Sequence, residues 1–175
     1  MSPSLVIRKA LPADIAEISK LHARIFGPGR FARSAYRVRE GKGHLSRFCL
    51  VVELGGQLVA SLRMTEIAIG GTTGAALLGP VAVEPAHRAN GVGTTLVIQA
   101  LEAARSSGTA LVVLVGDEPY YGRFGFKPVP VGQIVFPGPV NPARILACEL
   151  KDGACACYRG LVVAEPSKAP AAGSR

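Results

Sequence analysis

The 175-residue sequence predicts a mixed α/β (α+β) domain built on one central sheet. Three features carry that expectation. Two strand-like runs, 48–54 and 57–64, flank Gly55-Gly56, a dipeptide that tolerates the positive φ of a tight hairpin turn. A third run, 75–83, follows the turn-rich segment 70–74 and extends the pair into an antiparallel meander. From residue 75 to Val115 a strand, an amphipathic helix and a bare apolar strand then come consecutively, and such a crossover sets its two strands side by side in parallel.

The remaining elements follow in chain order. Leu5–Lys9 reads as a short strand, and Pro12 with Asp14 signals a helix start before Ile15, Ile18, Leu21 and Ile25, which recur at three or four residues. Gly27 ends that helix. The stretch 30–43 carries Arg30, Arg33, Arg37, Arg39 and Lys42, and reads as a second, shorter helix or an ordered surface loop with a strongly basic face. After the meander, Val92, Leu96, Ala100 and Ala104 stand four apart, giving a helix one apolar stripe, and Ser106-Ser107-Gly108 stops it. Leu111–Val115 is apolar throughout, as expected of a strand covered on both faces. A short aromatic helix or loop is expected from Pro119, then strands near 126–129, 146–150 and 156–163. One domain over 1–164 results, with a disordered Pro-, Ala- and Ser-rich tail at 165–175. No internal repeat is visible.

Composition narrows the function classes. Twenty basic against twelve acidic residues leave a charge of +8, and 49% hydrophobic residues with 18% charged supply enough apolar material to exclude intrinsic disorder. No apolar run reaches the roughly 18 residues of a membrane span, since Glu84 and Asp117 close the two most hydrophobic stretches. Arg8 and Lys9 follow the first apolar residues instead of preceding them, the reverse of a secretory signal, so a cytoplasmic location is expected and a membrane partner is not. Cys49, Cys148, Cys155 and Cys157 are too few to staple the domain, and the spacing of the last two suits strand alternation, so reduced, mostly buried thiols are expected. His22, His44 and His87 lack the spacing of a ligand set, and no metal is expected.

The chemistry-bearing segment is LLGPVAVEPAHRANGVGTTL, residues 77–96. Its strand runs into Arg88, Ala89, Asn90, Gly91, Val92, Gly93 and Thr94, the second half of which opens the amphipathic helix. Free N–H groups there point out of a helix start with the positive end of the helix dipole behind them, and two glycines let a ligand approach the backbone. That is a pyrophosphate cradle. A tight strand-to-helix turn would also favour small residues, so the glycine pair alone is not decisive. A dinucleotide fingerprint wants a small residue where Leu96 stands and an acid about 20 positions on, and neither is present. A nucleotide-triphosphate loop needs Gly-Lys-Ser/Thr, and the turn has no lysine.

At residues 88–93 the sequence resembles the GNAT N-acetyltransferases, whose acetyl-CoA loop reads Q/R-x-x-G-x-G/A between a strand and a helix. LGPVAVEP before the loop and YYGRFGFKPV, residues 120–129, extend the likeness, in a subgroup similar to the YhbS-type acetyltransferases. The resemblance implies a mostly antiparallel sheet of about six to seven strands with a splayed parallel pair and flanking helices. It also implies acetyl-CoA as co-substrate, an amine acceptor that is a small molecule or a peptide or protein, and direct attack in a ternary complex. A homodimer is left open.

Carried over residue by residue, the backbones of Val81, Ala82 and Val83 would lie along the pantetheine arm, and Arg88, Ala89, Asn90, Gly91, Val92, Gly93 and Thr94 would bind the pyrophosphate. The N–H of Val83 would stabilise the oxyanion. Tyr121, five residues before Phe126, falls where family members keep the tyrosine that protonates the departing thiolate. The common upstream asparagine is replaced by Gly116-Asp117-Glu118-Pro119. Glu66 is the candidate base, against a plain reading as a solvated strand-end carboxylate. Two other functions are weighed. One is an acyl-CoA-binding sensor or partner-binding module without turnover. Nucleic-acid binding, prompted by pI ≈ 9.7, is disfavoured because the charge also suits polyanionic CoA and no RNA-type aromatic motif is present.

Overall fold

The computed structural model describes residues 2–39 and 45–165, so the expectations resting on Lys42, on His44 and on the tail beyond Glu165 lie outside it. In chain order the elements are β1 (Leu5–Lys9), α1 (Ile15–Phe26), α2 (Ser34–Arg39), β2 (Leu50–Leu54), β3 (Gln57–Ile69), β4 (Thr72–Val83), α3 (Val92–Ser106), β5 (Leu111–Val115), α4 (Glu118–Tyr121), β6 (Lys127–Pro128), β7 (Ile134–Val135), β8 (Ile145–Glu149) and β9 (Gly160–Ala164). The strands run in the order β1-β2-β3-β4-β5-β8-β6, with β9 pairing both β3 and β7. Within the main run only β4 and β5 are parallel, the crossover that the strand–helix–strand order predicts.

Two apolar clusters sandwich the sheet, and β5 displays the reason for its bare apolar run. Val112 and Leu114 pack with Leu96, Val97 and Ala100 of α3, whereas Leu111 and Val113 join Ile134, Phe136 and Val162 in the other cluster. Successive side chains of a strand point to opposite faces, so a strand covered twice must be apolar at every position. Each such burial contributes about 1.5–3 kcal/mol. At the sheet's first edge, Arg8 on β1 donates to both Asp14, just ahead of α1, and Glu53 on β2, at 2.7–2.8 Å. The guanidinium's hydrogen bonds hold the Asp14 carboxyl below its usual range.

The structure corrects four expectations. The segment 70–74 is not a long turn: β3 runs to Ile69 and β4 starts at Thr72, so only Gly70 and Gly71, both at positive φ, turn the chain. The polar Thr72, Thr73 and Gly74 at the exposed start of β4 hide that strand from a hydropathy reading. Among the described residues the sheet has nine strands, seven on its main path and β7 and β9 off it, because two-residue pairings such as β6 and β7 leave no periodicity in a sequence. Cys155 and Cys157 lie on a 3-10 turn (Ala154–Cys157) ahead of β9 and not on a strand; with Cys157 exposed and Cys155 half-buried, only Cys49 and Cys148 are buried thiols. Arg39 is not part of a basic surface. It is 7% exposed, and its Nη1 donates to the carbonyl of Gly79 at 2.8 Å.

Candidate active site

The site begins where the β4–β5 ladder stops. The two strands pair only through Ala75↔Leu111, Ala76↔Val112 and Leu77↔Val113, although β4 continues to Val83 and β5 to Val115. On its other side β4 stays paired with β3, but Leu62 faces Val81 and Met64 faces Leu78, so Gly79 and Pro80 together oppose Arg63 alone. This is a β-bulge, which bends the strand carrying the extra residue. Pro80 also lacks the N–H that a ladder needs. From Leu78 onward the edge of β4 facing β5 therefore has no strand partner, and the two strands splay.

Beyond Val83 a 3-10 turn (Pro85–Asn90) leads to Gly91, whose left-handed conformation (φ 72°, ψ 14°) redirects the chain into α3. No side chain caps that helix. Thr95 N–H bonds back to Gly91 carbonyl at 3.0 Å, while the amides of Val92, Gly93 and Thr94 in the first turn have no carbonyl four residues back inside the helix. The helix dipole places partial positive charge at this end. Arg88 folds back so that its Nε donates to Val83 carbonyl at 3.2 Å, tying the turn to the end of β4. Arg123 lies over the ring of Tyr120 and donates to Thr94 Oγ1 at 3.1 Å, adding a second cation beside the helix start.

The two glycines serve different ends. Gly91 is required by its positive φ. Gly93 is not: a Cβ built there would meet only Tyr120 Oη at 3.5 Å and Val83 Cγ2 at 3.6 Å, ordinary contacts. Neither backbone conformation nor a packing clash in this chain demands glycine at 93. The room it leaves is room for a ligand against the backbone.

Tyr121 ends α4 at the junction of two cavities. One, about 510 Å³, runs from Val81 and Val83 to Arg88, Gly91, Gly93 and Thr94. The other, about 360 Å³, extends the opposite way along Leu77 to Val81 and is bordered by Arg33, Asn141 and Arg144. Val81 and Tyr121 line both. The Tyr121 ring is held edge-on by Tyr120 and Phe126, with centroids at 4.8 and 5.9 Å. Burial raises its hydroxyl above the usual phenol range, helped by Tyr120 and Asp117, while Arg33 and Arg144 pull it back. Gly116 makes the seat: a Cβ there would lie 2.7 Å from Tyr121 Cε2. The sequence reading missed that role for Gly116, and the signal was present in the departure that opens on this glycine, Gly116-Asp117-Glu118-Pro119.

The structure thus brings Val81, Val83, Arg88, Ala89, Gly91, Gly93, Thr94 and Tyr121 onto one continuous surface, with Ala82, Asn90 and Val92 between them in the chain. It does not bring Glu66 there. That carboxylate lies on β3 opposite Ala76, accepts from Arg47 Nη2 at 2.8 Å, and borders neither cavity. Val81, not Val83, occupies the junction beside Tyr121.

An extended groove that ends on open amides and cations suits a long ligand with an anionic end, and comparisons with known proteins agree with this geometry. The acetyltransferase (GNAT) domain model matches residues 6–129. The uncharacterized N-acetyltransferase YhbS of Escherichia coli K12 is 28% identical over 124 residues, spanning 70% of this chain and 74% of that relative. YjhQ of the same organism, also an uncharacterized N-acetyltransferase, is 28% identical over 140 residues, spanning 78% and 77%. The fold matches the crystal structure of Escherichia coli YhbS in complex with CoA at a TM-score of 0.79 and 26% identity, over 94% of this chain and 92% of that one. A Brucella melitensis GNAT family acetyltransferase in complex with acetyl-CoA gives 0.61 at 32% identity, over 82% and 95%. A family model spanning most of the sequence, on a sheet splayed ahead of an open helix start, places this chain in the GNAT acetyltransferase family.

Proposed function

We propose that this protein, as a single domain over 1–164, binds acetyl-CoA in the β4–β5 cleft and catalyses transfer of the acetyl group to a primary amine. The observation that carries the reading is the splay itself: it frees the edge of β4 just before an uncapped helix start, with Tyr121 between the two cavities. Bound there, the thioester supplies an already activated acyl group, so proximity accounts for much of the acceleration.

Each residue then has a definite task. The amides of Val92, Gly93 and Thr94 grip the diphosphate, with Arg88 and Arg123 contributing charge beside them. The free edge of β4 at Val81, Ala82 and Val83 hydrogen-bonds the pantetheine amides as an added strand would. The oxyanion formed by amine attack is assigned to the N–H of Val81, because Val81 and not Val83 borders both cavities. As the new N–C bond forms and the C–S bond breaks, the Tyr121 hydroxyl gives its proton to the leaving sulfur. Its hydroxyl forms no hydrogen bond among the described residues that would hold that proton elsewhere. The proton lost by the amine passes to water, since among the described residues no Asp, Glu or His borders the smaller cavity.

Gly93→Ala tests the reading. The substitution introduces only ordinary contacts, so thermal stability should stay within about 1 kcal/mol of wild type. Affinity for acetyl-CoA by calorimetry should fall at least about tenfold, as a methyl fills the ligand's approach. Equal affinity in the two proteins, or no heat with wild type, sinks the proposed site. Acetyl-CoA binding with no thiol release on any amine would favour the non-catalytic sensor instead.

A further inference from the structure

The smaller cavity holds information about the acceptor. It lies beyond Tyr121, on the side away from the α3 start, and about 360 Å³ of space admits a molecule of amino-acid size. Its polar border is one-sided. Arg33, Arg144, Asn141 and Ser34 line it, and among the described residues no carboxylate does. Arg144 is shared with Asp117 at 3.3 Å, an exposed pair. Arg33 forms no ion pair with a described carboxylate; its guanidinium lies 4.4 Å from the centroid of the Phe26 ring, and Phe26 borders the larger cavity. Both arginines act electrostatically on Tyr121, so their charge reaches the reacting end of the cavity. The diphosphate end already has Arg88 and Arg123, so two further cations at the far end are not accounted for by that ligand.

Resting on the acetyl-CoA reading, we propose that the acceptor is a small amine carrying its own carboxylate, with Arg33 and Arg144 anchoring the carboxylate and the amine directed at Val81 and Tyr121. A guanidinium pairs with a carboxylate through parallel hydrogen bonds and fixes its orientation. The same two charges disfavour an incoming ammonium, which does two things. Polyamines and other acceptors with only positive groups are repelled. An anchored amine loses its proton more readily, which suits a cavity that no described carboxylate or histidine borders.

The test is a matched panel measured by thiol release: amino acids and glycylglycine, the same compounds as carboxamides, and spermidine. Calorimetry with acetyl-CoA alone is run on the same sample. The expected result is kcat/KM at least about tenfold higher for each acid than for its amide, with spermidine lowest. Arg33→Gln and Arg144→Gln should each narrow the acid-to-amide ratio towards unity through KM, and both are exposed positions where folding is not at stake. Equal rates for acids and amides, a preference for spermidine, or silence of all acids while acetyl-CoA binds would overturn the acceptor assignment and leave acetyl-CoA binding standing. Absence of acetyl-CoA binding would overturn the parent reading, and this one with it.

Discussion

Gly116→Ala is the sharpest probe of how Tyr121 is positioned. A Cβ at 116 would stand 2.7 and 3.0 Å from two Tyr121 ring carbons and 3.0 Å from Leu114 Cδ1. Carbon atoms in contact prefer about 3.5–4.0 Å, so the ring must retreat by about 1 Å. The backbone is not at fault, since Gly116 lies outside the positive-φ region and its N–H keeps its bond to Arg144 carbonyl at 2.9 Å. A misplacement of about 1 Å in a reacting group costs on the order of 10²-fold in rate. Turnover in Gly116→Ala should therefore fall about 100-fold, with acetyl-CoA affinity, set mainly at the α3 start, within about threefold of wild type. Overpacking adds a stability loss of about 1–3 kcal/mol. Tyr121→Phe should itself lower kcat by about 10²–10⁴-fold. The double variant separates position from packing, because a ring without a hydroxyl has no proton to misdirect and Gly116→Ala should then cost little more. Wild-type turnover in Gly116→Ala, or losses that multiply in the double variant, would refute the positioning role.

Three other outcomes can be checked directly. Glu66→Gln should leave kcat within about threefold, because its carboxylate pairs with Arg47 away from both cavities; a loss beyond tenfold in the thiol-release assay would return Glu66 to the mechanism. Gly70→Ala should fold poorly, with a melting temperature at least several degrees lower, since its Cβ would fall 1.9 Å from Arg159 carbonyl oxygen at positive φ. Burial, then the charges of Arg63, Arg39, Arg30 and Arg33, drive the His22 pKa down to about 3, in a site where its nitrogens meet Tyr36 and Ser61 hydroxyls. The unfolded chain therefore binds the extra proton between about pH 3 and 6.5, so the His22 contribution is whole above that window and declines as pH falls through it. About 2 kcal/mol should be gone by pH 5, a drop of roughly 4–8 °C in melting temperature; His22→Gln should flatten that slope, and an unchanged slope would remove His22 as its source.

Much of the scaffold was legible because it depends on local chemistry. A strand that must be apolar on both faces can only read as β5 does, and a helix with one buried stripe must repeat as α3 does. The α3 start was equally legible, since the positive φ of Gly91 has to be written as glycine, and Gly93 stands out as a second one that the protein's own packing does not require. What escaped depends on which strand face, and which end of a strand, a residue occupies. Glu66 looked suited to a base as a lone acid at a strand end, yet register sets it opposite Ala76, inside the paired part of β4, and its carboxylate borders neither cavity. Arg39 looked like surface because arginines usually are, but its neighbour in space is the carbonyl of Gly79.

That last contact bears on how the cleft stays open. A strand with an unpaired edge tends to recruit a partner, and β5 lies alongside. Closing the ladder would require the stretch 78–83 of β4 to straighten. Three features resist this: Pro80 cannot donate, the bulge puts two residues of β4 against Arg63, and Arg39 occupies the Gly79 carbonyl from α2. Only the proline is conspicuous in the sequence. The other two depend on β3 and α2 arriving at the same point, and this is why a GNAT loop is readable from a dozen letters whereas the groove it serves is a property of the assembled sheet. Relieving one of them by Arg39→Met should leave a half-buried carbonyl without its protein donor and cost about 0.5–1.5 kcal/mol, a loss that acetyl-CoA should partly restore by refilling the cleft in a thermal-shift titration; an identical ligand-induced shift in variant and wild type would mean that Arg39 supports the fold but not the opening.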